Sequence, residues 1–429
     1  MSDVSIPRRD IGLKKRYRAE YRFRIYGMVA ISIGLIFLAV LLWSVISKGY
    51  SVFLQTNMTL NVMLDEKIID PQGKRFKDPN VLITANYPLL VRNALADHLG
   101  VDKKDRAAMR DLNNFYSDGV RVIIRDMVSQ NPELINTTQP IRFLASANID
   151  SANKGQIDLT VPEGSRKVSD RQVEWIEKLT LDGTLYKSFN TGFFINPPSS
   201  RPEMAGLGVA LIGSFYMMLI VLAIALPVGV AAAIYLEEYA KKNKFTDFIE
   251  ININNLAAVP SIVFGLLGLA IFINSFGVPR SSSLVGGLVL SLMTLPTIII
   301  ATRSALRAVP PSIRDAALGI GASKTQTVFH HVLPLSVPGI MTGTIIGLAR
   351  ALGETAPLLL VGMVAFVANY PKTPLDPATA LPVQIYMWAA EAERAYVERA
   401  WGAIIVLLVV LALMNIAAVI VRRKFERRW

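Results

Sequence analysis

"RDAALGIGASKTQTVFHHVLP" occupies Arg314–Pro334, with long apolar runs on either side. It holds small residues, closely spaced glycines and two histidines, and no catalytic set. Extended upstream to "VPPSIRDAALGIGAS", it reads as a helix start of capping-box type, with Ser312 as N-cap and Asp315 at the third helical position. Ala316 and Ala317 favour helix, and Gly319 and Gly321 invite a break. "SKTQTVFHHV" then begins a second short helix, which Leu333 and Pro334 end. A short helix–turn–helix made of small residues, set between two membrane spans, is a surface for another protein to close around.

The spans follow from composition. The chain has 429 residues, of which 52% are hydrophobic and 18% charged, and its mean hydropathy is +0.40. These values point to a polytopic membrane protein. Six stretches reach the roughly 20 apolar residues that a spanning helix needs: Tyr26–Ile46, Leu207–Leu236, Leu256–Ser275, Ser283–Thr302, Val337–Val367 and Trp401–Val421. The first has too long an apolar core for a cleavable signal, and no small-residue cleavage site follows it.

The net charge of +12 is a matter of topology, not of nucleic-acid binding. Eight lysines and arginines precede the first span between Arg8 and Arg24, and five mark the tail "RRKFERRW". Others follow the second span (Lys241, Lys242, Lys244) and the fourth (Arg303, Arg307, Arg314, Lys324). Six spans with both ends inside put every one of these segments in the cytoplasm, as the positive-inside rule requires. The domain plan is then a basic cytoplasmic segment 1–25, a first span 26–46, an extracytoplasmic insert 47–206, a five-helix core 207–421 with its cytoplasmic loop 303–336, and a basic tail 422–429. The absence of cysteine excludes disulfides and thiolate metal sites. His98, His330 and His331 are too few and too scattered for a metal centre. Neither a cofactor nor a catalytic residue is expected.

Within the insert, "MTLNVMLDEKIID" and "QPIRFLASANIDS" alternate like half-buried strands, and "YPLLVRNALADHLG" and "DRQVEWIEKLTL" carry helical apolar spacing. Turn signals separate them, so the insert reads as a small α+β domain with a scaffolding or docking role. In the core, Pro227, Pro260, Pro296 and Pro357 lie inside apolar runs. A membrane helix tolerates proline where neighbours or a cavity re-satisfy its backbone. Stretches such as "GLLGLA" and "GTIIGLARALG" let helices approach closely. Arg350 and Glu354 sit near the middle of the fifth apolar run, four residues apart and so on one helix face. A charge at bilayer depth costs about 2.5–3.5 kcal/mol on insertion scales and faces a protein interior or a wet path. The pair either neutralises itself or presents the arginine's planar fork to an anion in transit, with Glu354 holding the guanidinium.

The opening stretch resembles the EAA loop of ABC-importer permeases: Glu-Ala-Ala, three residues, Gly, nine residues, Ile, one residue, Leu-Pro. Here the pattern is Asp315, Ala316, Ala317, then Gly321, then Leu333 and Pro334, at matching spacing. Asp315 replaces the glutamate and keeps its charge. His331 takes the isoleucine position, where Val332 beside it can fill the apolar place. "LPVGVAAAIYLEEYA", "NLAAVPSIVFGLLGLAIF" and "ARALGETAPLLLVG" are similar to the phosphate permeases of this family, most of all to the PstA-type subunit. The likeness is close from Met204 onward, loose over the first span and missing from the insert.

The resemblance implies an all-α polytopic membrane protein with six transmembrane helices of the type I ABC importer permease kind, here with an inserted α+β extracytoplasmic domain. It implies a multi-pass inner-membrane permease for inorganic phosphate, paired with a second permease subunit. Two copies of a cytoplasmic ATPase would dock on the pair, and a periplasmic phosphate-binding protein would deliver the cargo. Asp315, Ala316, Ala317, Gly321, Leu333 and Pro334 would couple the ATPase to the spans, and Arg350 and Glu354 would line the path. The chain has no G-x-x-x-x-G-K-[ST] loop, so ATP would be bound by the partner and the chain itself is not an enzyme. Rival readings are an importer of phosphonate, sulfate or molybdate, a membrane sensor with a periplasmic domain, and a secondary transporter. The last predicts repeated halves and more intramembrane charge than the sequence holds.

Overall fold

A computed structural model describes residues 13–425, apart from 76 and 79. The outer parts of the basic segment 1–25 and of the tail 422–429, at 1–12 and 426–429, lie outside the described residues. The chain forms two units, divided between Lys48 and Gly49. The first is built on one helix, Leu13–Gly49. Its 37 residues rise about 56 Å, more than the roughly 30 Å of a bilayer core. Lysines and arginines cover its first turns, and an unbroken apolar sequence follows.

The second unit opens with an antiparallel sheet in the order β2-β1-β3: β1 is Leu54–Met63, β2 is Thr138–Leu144 and β3 is Leu185–Phe189. Thr59 pairs with Arg142 on one side of β1, and Asn57 with Tyr186 on the other. Alternation along β1 sends Met58, Leu60 and Val62 into the core with Tyr87, Leu95, Phe115, Ile124, Phe143 and Trp175. Helices Tyr87–Leu99 and Asp170–Leu181 lie where helical spacing predicts them. The first ends on left-handed Gly100, and the second begins with a capping box from Ser169 and Gln172. The two alternating segments are strands only in part. Asp65 caps a helical turn, Glu66–Ile69, and "ANIDSAN" coils into helix Ala147–Asn153.

A buried ion cluster fastens this region to the helical core. Asp150 accepts the backbone N–H of Thr56 at 2.8 Å and pairs with Lys154 at 2.7 Å. Lys154 also reaches Glu398, 3.2 Å away on the last helix. Arg399 donates to the Ala205 carbonyl at 2.8 Å, while Glu203 accepts from Ser117 at 2.6 Å. All five charged side chains are buried.

Among the described residues, five helices are long and apolar enough to cross a membrane, and a pair bent by 101° adds a sixth only if it counts as one broken span. The core spans are Gly208–Tyr239, the pair Lys244–Ala257 and Ser261–Ser275, Ser283–Arg307, Lys324–Gly353 and Arg394–Lys424. Two expectations need correction. Leu256–Ser275 is not one span: the chain turns by 101° at Ala258–Pro260, because Pro260 has no N–H to continue the helix and restricts the residue before it. Val337–Val367 is not one span either. Its helix stops at Gly353, Glu354 is extended (φ −76°, ψ 131°), and a short helix resumes at Ala356–Leu360. Of the four prolines, Pro227 and Pro296 lie inside continuous helices, whereas Pro260 and Pro357 stand at the two breaks.

The two broken elements touch. A Cβ on Gly265 would lie 2.7 Å from the Pro357 Cα, so Ser261–Gly268 packs directly on the resumed segment. Spans four and five run antiparallel through small residues. Gly339 meets Ala305, Gly343 meets Ala301, and Gly347 lies against Thr294 and Ile298.

Candidate functional site

The loop after span four carries the first group of site residues. Helix Pro311–Gly319 starts at Pro310, with Pro311 in its first turn and no side-chain cap. Ser312 is therefore not the N-cap, and Asp315 falls two positions later in the helix than a Ser312 start would place it. Two successive prolines already hold the backbone that a capping side chain would have to stabilise. The helix closes in a Schellman turn: Ala322 N–H reaches the Ala317 carbonyl at 3.1 Å, and Gly321 N–H reaches that of Leu318 at 3.0 Å. Gly321 holds φ +87°, a left-handed value that a side chain resists. Asp315 and Ala316 are exposed and Ala317 is buried. Leu318, Ile320 and Phe329 also stand out into the open as apolar knobs.

Leu333 and Pro334 do not end the second helix. Ser323 and Gln326 form a capping box, a π-helical turn follows at Thr327–Val332, and the helix continues to Gly353. The widened turn precedes Pro334 and gives its ring the room that a tight α-turn denies. Val332 is fully buried with Ile234, Leu306, Val309 and Val328, while His331 is exposed beside it. The apolar place of the motif thus belongs to Val332. His330 and His331 line a cleft of about 620 Å³ with Val309, Pro310, Ile313 and Pro334.

Sequence reasoning missed the acidic partners that hold this loop. Arg314 donates to Glu238 at 2.7 Å and to the carbonyls of Leu306 and Val309 at 2.9 and 2.8 Å. It therefore ties helix Pro311–Gly319 to the last turn of span four and the end of span two. One turn apart on span four, Arg303 and Arg307 reach Glu250 and Glu237, each at 2.8 Å. For Glu237 and Glu238 the signal lies in the paired acids of "YLEEYA" and in the i,i+4 spacing of Arg303 and Arg307, arginines that also mark topology.

Arg350 and Glu354 are adjacent in the fold, with Arg350 Nε 3.6 Å from Glu354 Oε1. They do not share a helix face, because Glu354 follows the break. The depth of Arg350 comes from the register with span four. Gly343 facing Ala301 sets Arg350 level with Thr294, near the midpoint of Ser283–Arg307. The helix thus stops at mid-membrane depth, about 12 Å short of the level where span four begins. Its last turn carries Arg350, whose charge complements the negative end of the helix. The arginine side chain is 47% exposed, against 19% for the glutamate, so its guanidinium faces open space and not the packed core. Among the described residues no three metal-ligating side chains converge.

Residues 225–429 match the family described as the binding-protein-dependent transport system inner membrane component, and residues 10–163 match a domain of unknown function, DUF3333. The probable ABC transporter permease YqgI of Bacillus subtilis is 36% identical over 182 residues, covering 42% of this chain and 60% of YqgI. Phosphate permease PstA 1 of Mycobacterium tuberculosis is 34% identical over 231 residues, 53% of this chain and 74% of that protein. Phosphate permease PstA of Haemophilus influenzae is 32% identical over 212 residues, 49% and 74% of the two chains. The inward-facing MetNI methionine transporter aligns with 52% of this chain and 95% of its own at 20% identity and a TM-score of 0.42, too loose a likeness to carry structural argument. The match over residues 225–429, together with relatives above 30% identity aligned over some three quarters of their length, places the chain in the family of ABC-importer permeases, with the PstA phosphate permeases among its relatives.

Proposed function

We propose that this chain is the PstA-type permease subunit of an ATP-driven importer of inorganic phosphate. The observation that carries the reading is the helix end at Gly353, which leaves the half-exposed Arg350 fork at mid-membrane depth. Non-helical backbone at that depth is tolerated where it is buried or lines a wet cavity. A guanidinium there can take two oxygens of a tetrahedral oxyanion at once. Its open side suits a path shared with a second permease subunit. Glu354, held near it by charge, positions the fork and shields it between passages.

In this reading two copies of a cytoplasmic ATPase dock on the permease pair, and one of them grips Asp315, Ala316, Ala317 and the exposed Leu318 and Ile320 of this chain. Gly321 shapes the turn between the gripped helix and Lys324–Gly353, and Leu333 and Pro334 lie in that long helix itself. Movement at the loop passes through Arg314 into spans two and four, and along the long helix to Arg350. Nucleotide is bound and hydrolysed by the ATPase alone. The basic segments 1–25 and 422–429 lie in the cytoplasm. The insert 47–206 lies on the periplasmic face of the inner membrane, where a phosphate-binding protein docks.

The test is uptake of radiolabelled phosphate at micromolar concentration by cells lacking the gene and by cells with it restored. Sulfate, molybdate and phosphonate are added in excess as competitors. Restored uptake that only phosphate competes supports the cargo, whereas competition by another oxyanion reassigns it. Arg350→Lys keeps the charge and loses the fork, and is expected to assemble normally yet lose most uptake. Full-rate transport by that variant removes Arg350 from the path.

A further inference from the structure

The base of the insert carries an apolar patch that the transport reading does not use. Phe53 and Phe194 stack with ring centroids 5.8 Å apart, and Phe194 stacks on Phe189 at 5.9 Å. Around this stack, Phe189 is 60% exposed, Ile195 64% and Tyr50 60%. Leu54 is paired with Phe189 across the sheet and is exposed as well. These residues come from the turn before β1, the first residue of β1, the last residue of β3 and the helical turn Gly192–Ile195. The sequence scatters them, and the fold gathers them at one edge.

The height of that edge is set by its contacts with the spans. A Cβ on Gly402 would lie 3.2 Å from the Phe193 ring and 3.0 Å from Val52, and one on Gly49 would lie 2.8 Å from the Trp401 carbonyl. Trp401 opens the unbroken apolar run of the last span. A Cβ on Gly208, the first residue of the span-two helix, would lie 2.9 Å from the Ile195 carbonyl. The patch is therefore level with the ends of the apolar helices of the second and last spans. Aromatic rings with an apolar body and, in Tyr50, a polar tip suit the headgroup boundary.

We propose that this edge is an apolar foot by which the insert rests in the outer headgroup layer of the bilayer, with lipid as its partner. Phe189, Phe194 and Ile195 reach the upper acyl chains, and the Tyr50 hydroxyl stays among the headgroups. The insert then lies against the membrane surface and does not stand free above it.

The chain contains no cysteine, so a single introduced cysteine takes a spin label at one known place. Phe189→Cys and Ile195→Cys are labelled in the full-length chain, within the assembled importer in phosphatidylcholine–phosphatidylglycerol nanodiscs. Leu181→Cys is the control. Leu181 is 90% exposed but lies just ahead of β3, at the end opposite Phe189. Accessibility to oxygen, relative to the water-soluble nickel chelate NiEDDA, is expected to be severalfold higher at 189 and 195 than at 181. Equal ratios at all three sites place the foot in water and overturn the proposal. Shielding of 189 and 195 from both reagents means that a protein partner covers them, which overturns it equally.

Discussion

Two positions show how single residues set this molecule's behaviour. Gly321 holds φ +87° in the turn that ends helix Pro311–Gly319, and open space surrounds the place of its absent Cβ. The demand is therefore conformational and not steric. A left-handed residue with a Cβ costs about 1–2 kcal/mol, and a β-branched one more. Gly321→Val is expected to keep the membrane core folded and to cut ATPase recovery in a pull-down. Retention of the ATPase at the level of the unaltered chain would show that the turn tolerates Val. Asp376 illustrates a charge with a local task. The backbone N–H groups of Thr373 and Lys372, both 2.8 Å from Oδ2, hold its carboxyl below the usual carboxylate range. Because the folded-state pKa is lowered, the stabilisation is present above the unfolded value and is lost as pH falls through the folded one. Amide exchange over 372–378 is expected to speed up only below the ordinary carboxylate range, and Asp376→Asn is expected to show that fast exchange already at neutral pH.

At the scale of elements, close packing through glycine decides how spans four and five lie. A Cβ at Gly339 would sit 2.6 Å from that of Ala305, closer than real Cβ contacts allow, so the helices must part to admit it. At Gly347 the nearest atom, Thr294 Cγ2, is 3.5 Å away, an ordinary contact. Gly339→Ala is expected to cost about 1–3 kcal/mol by overpacking, and Gly347→Ala little. Melting of the two purified variants in detergent checks this contrast, and equal melting points would mean that the spans slide freely. Packing of this kind also carries motion. The π-turn at Thr327–Val332 lets one helix run from the loop after span four, past Pro334, to the break beside Arg350. The loop and the charge pair are thus opposite ends of one rod, where helix-ending signals in the sequence suggested two separate pieces.

At the scale of the whole molecule, the buried cluster of Asp150, Lys154, Glu203, Glu398 and Arg399 makes the insert and the last span move together. Removing one partner of a buried ion pair leaves the other charge uncompensated, at a cost of about 3–5 kcal/mol. Arg399→Ala removes the hydrogen bond to the Ala205 carbonyl and the buried cation whose charge Asp150, Glu398 and Glu203 feel, and is expected to lower the melting temperature of the full-length protein by several degrees. It is also expected to expose the junction around Ala205 to proteolysis, which limited digestion followed by mass spectrometry would read. An unchanged digestion pattern would mean that the apolar contacts of Val52, Phe193 and Trp388 hold the junction without the charges.

Much of this architecture could be read along the chain, because its causes are local. Runs of apolar residues long enough to span a bilayer, basic flanks, and the spacing of Asp315, Ala316, Ala317, Gly321, Leu333 and Pro334 depend on nothing distant. The helices at Tyr87–Leu99 and Asp170–Leu181 announce themselves by period and cap in the same way. What escaped the sequence depends on partners far along the chain. β3, with only five residues, is a strand because β1 offers it an edge. Glu237 and Glu238 of span two and Glu250 of Lys244–Ala257 acquire their tasks only when the fold brings Arg303 of span four and Arg314 of the loop helix to them. The span-five helix stops at Gly353, ahead of Pro357, and the resumed segment packs on Gly265, a contact no local pattern contains. The sequence by itself determined that the chain crosses the membrane and where the small-residue loop between spans four and five lies, since burial of apolar length and backbone freedom at glycine are properties of short segments. Only the tertiary structure decided that Arg350 stands at a mid-membrane helix end with its fork open, since depth and exposure are set by what packs alongside.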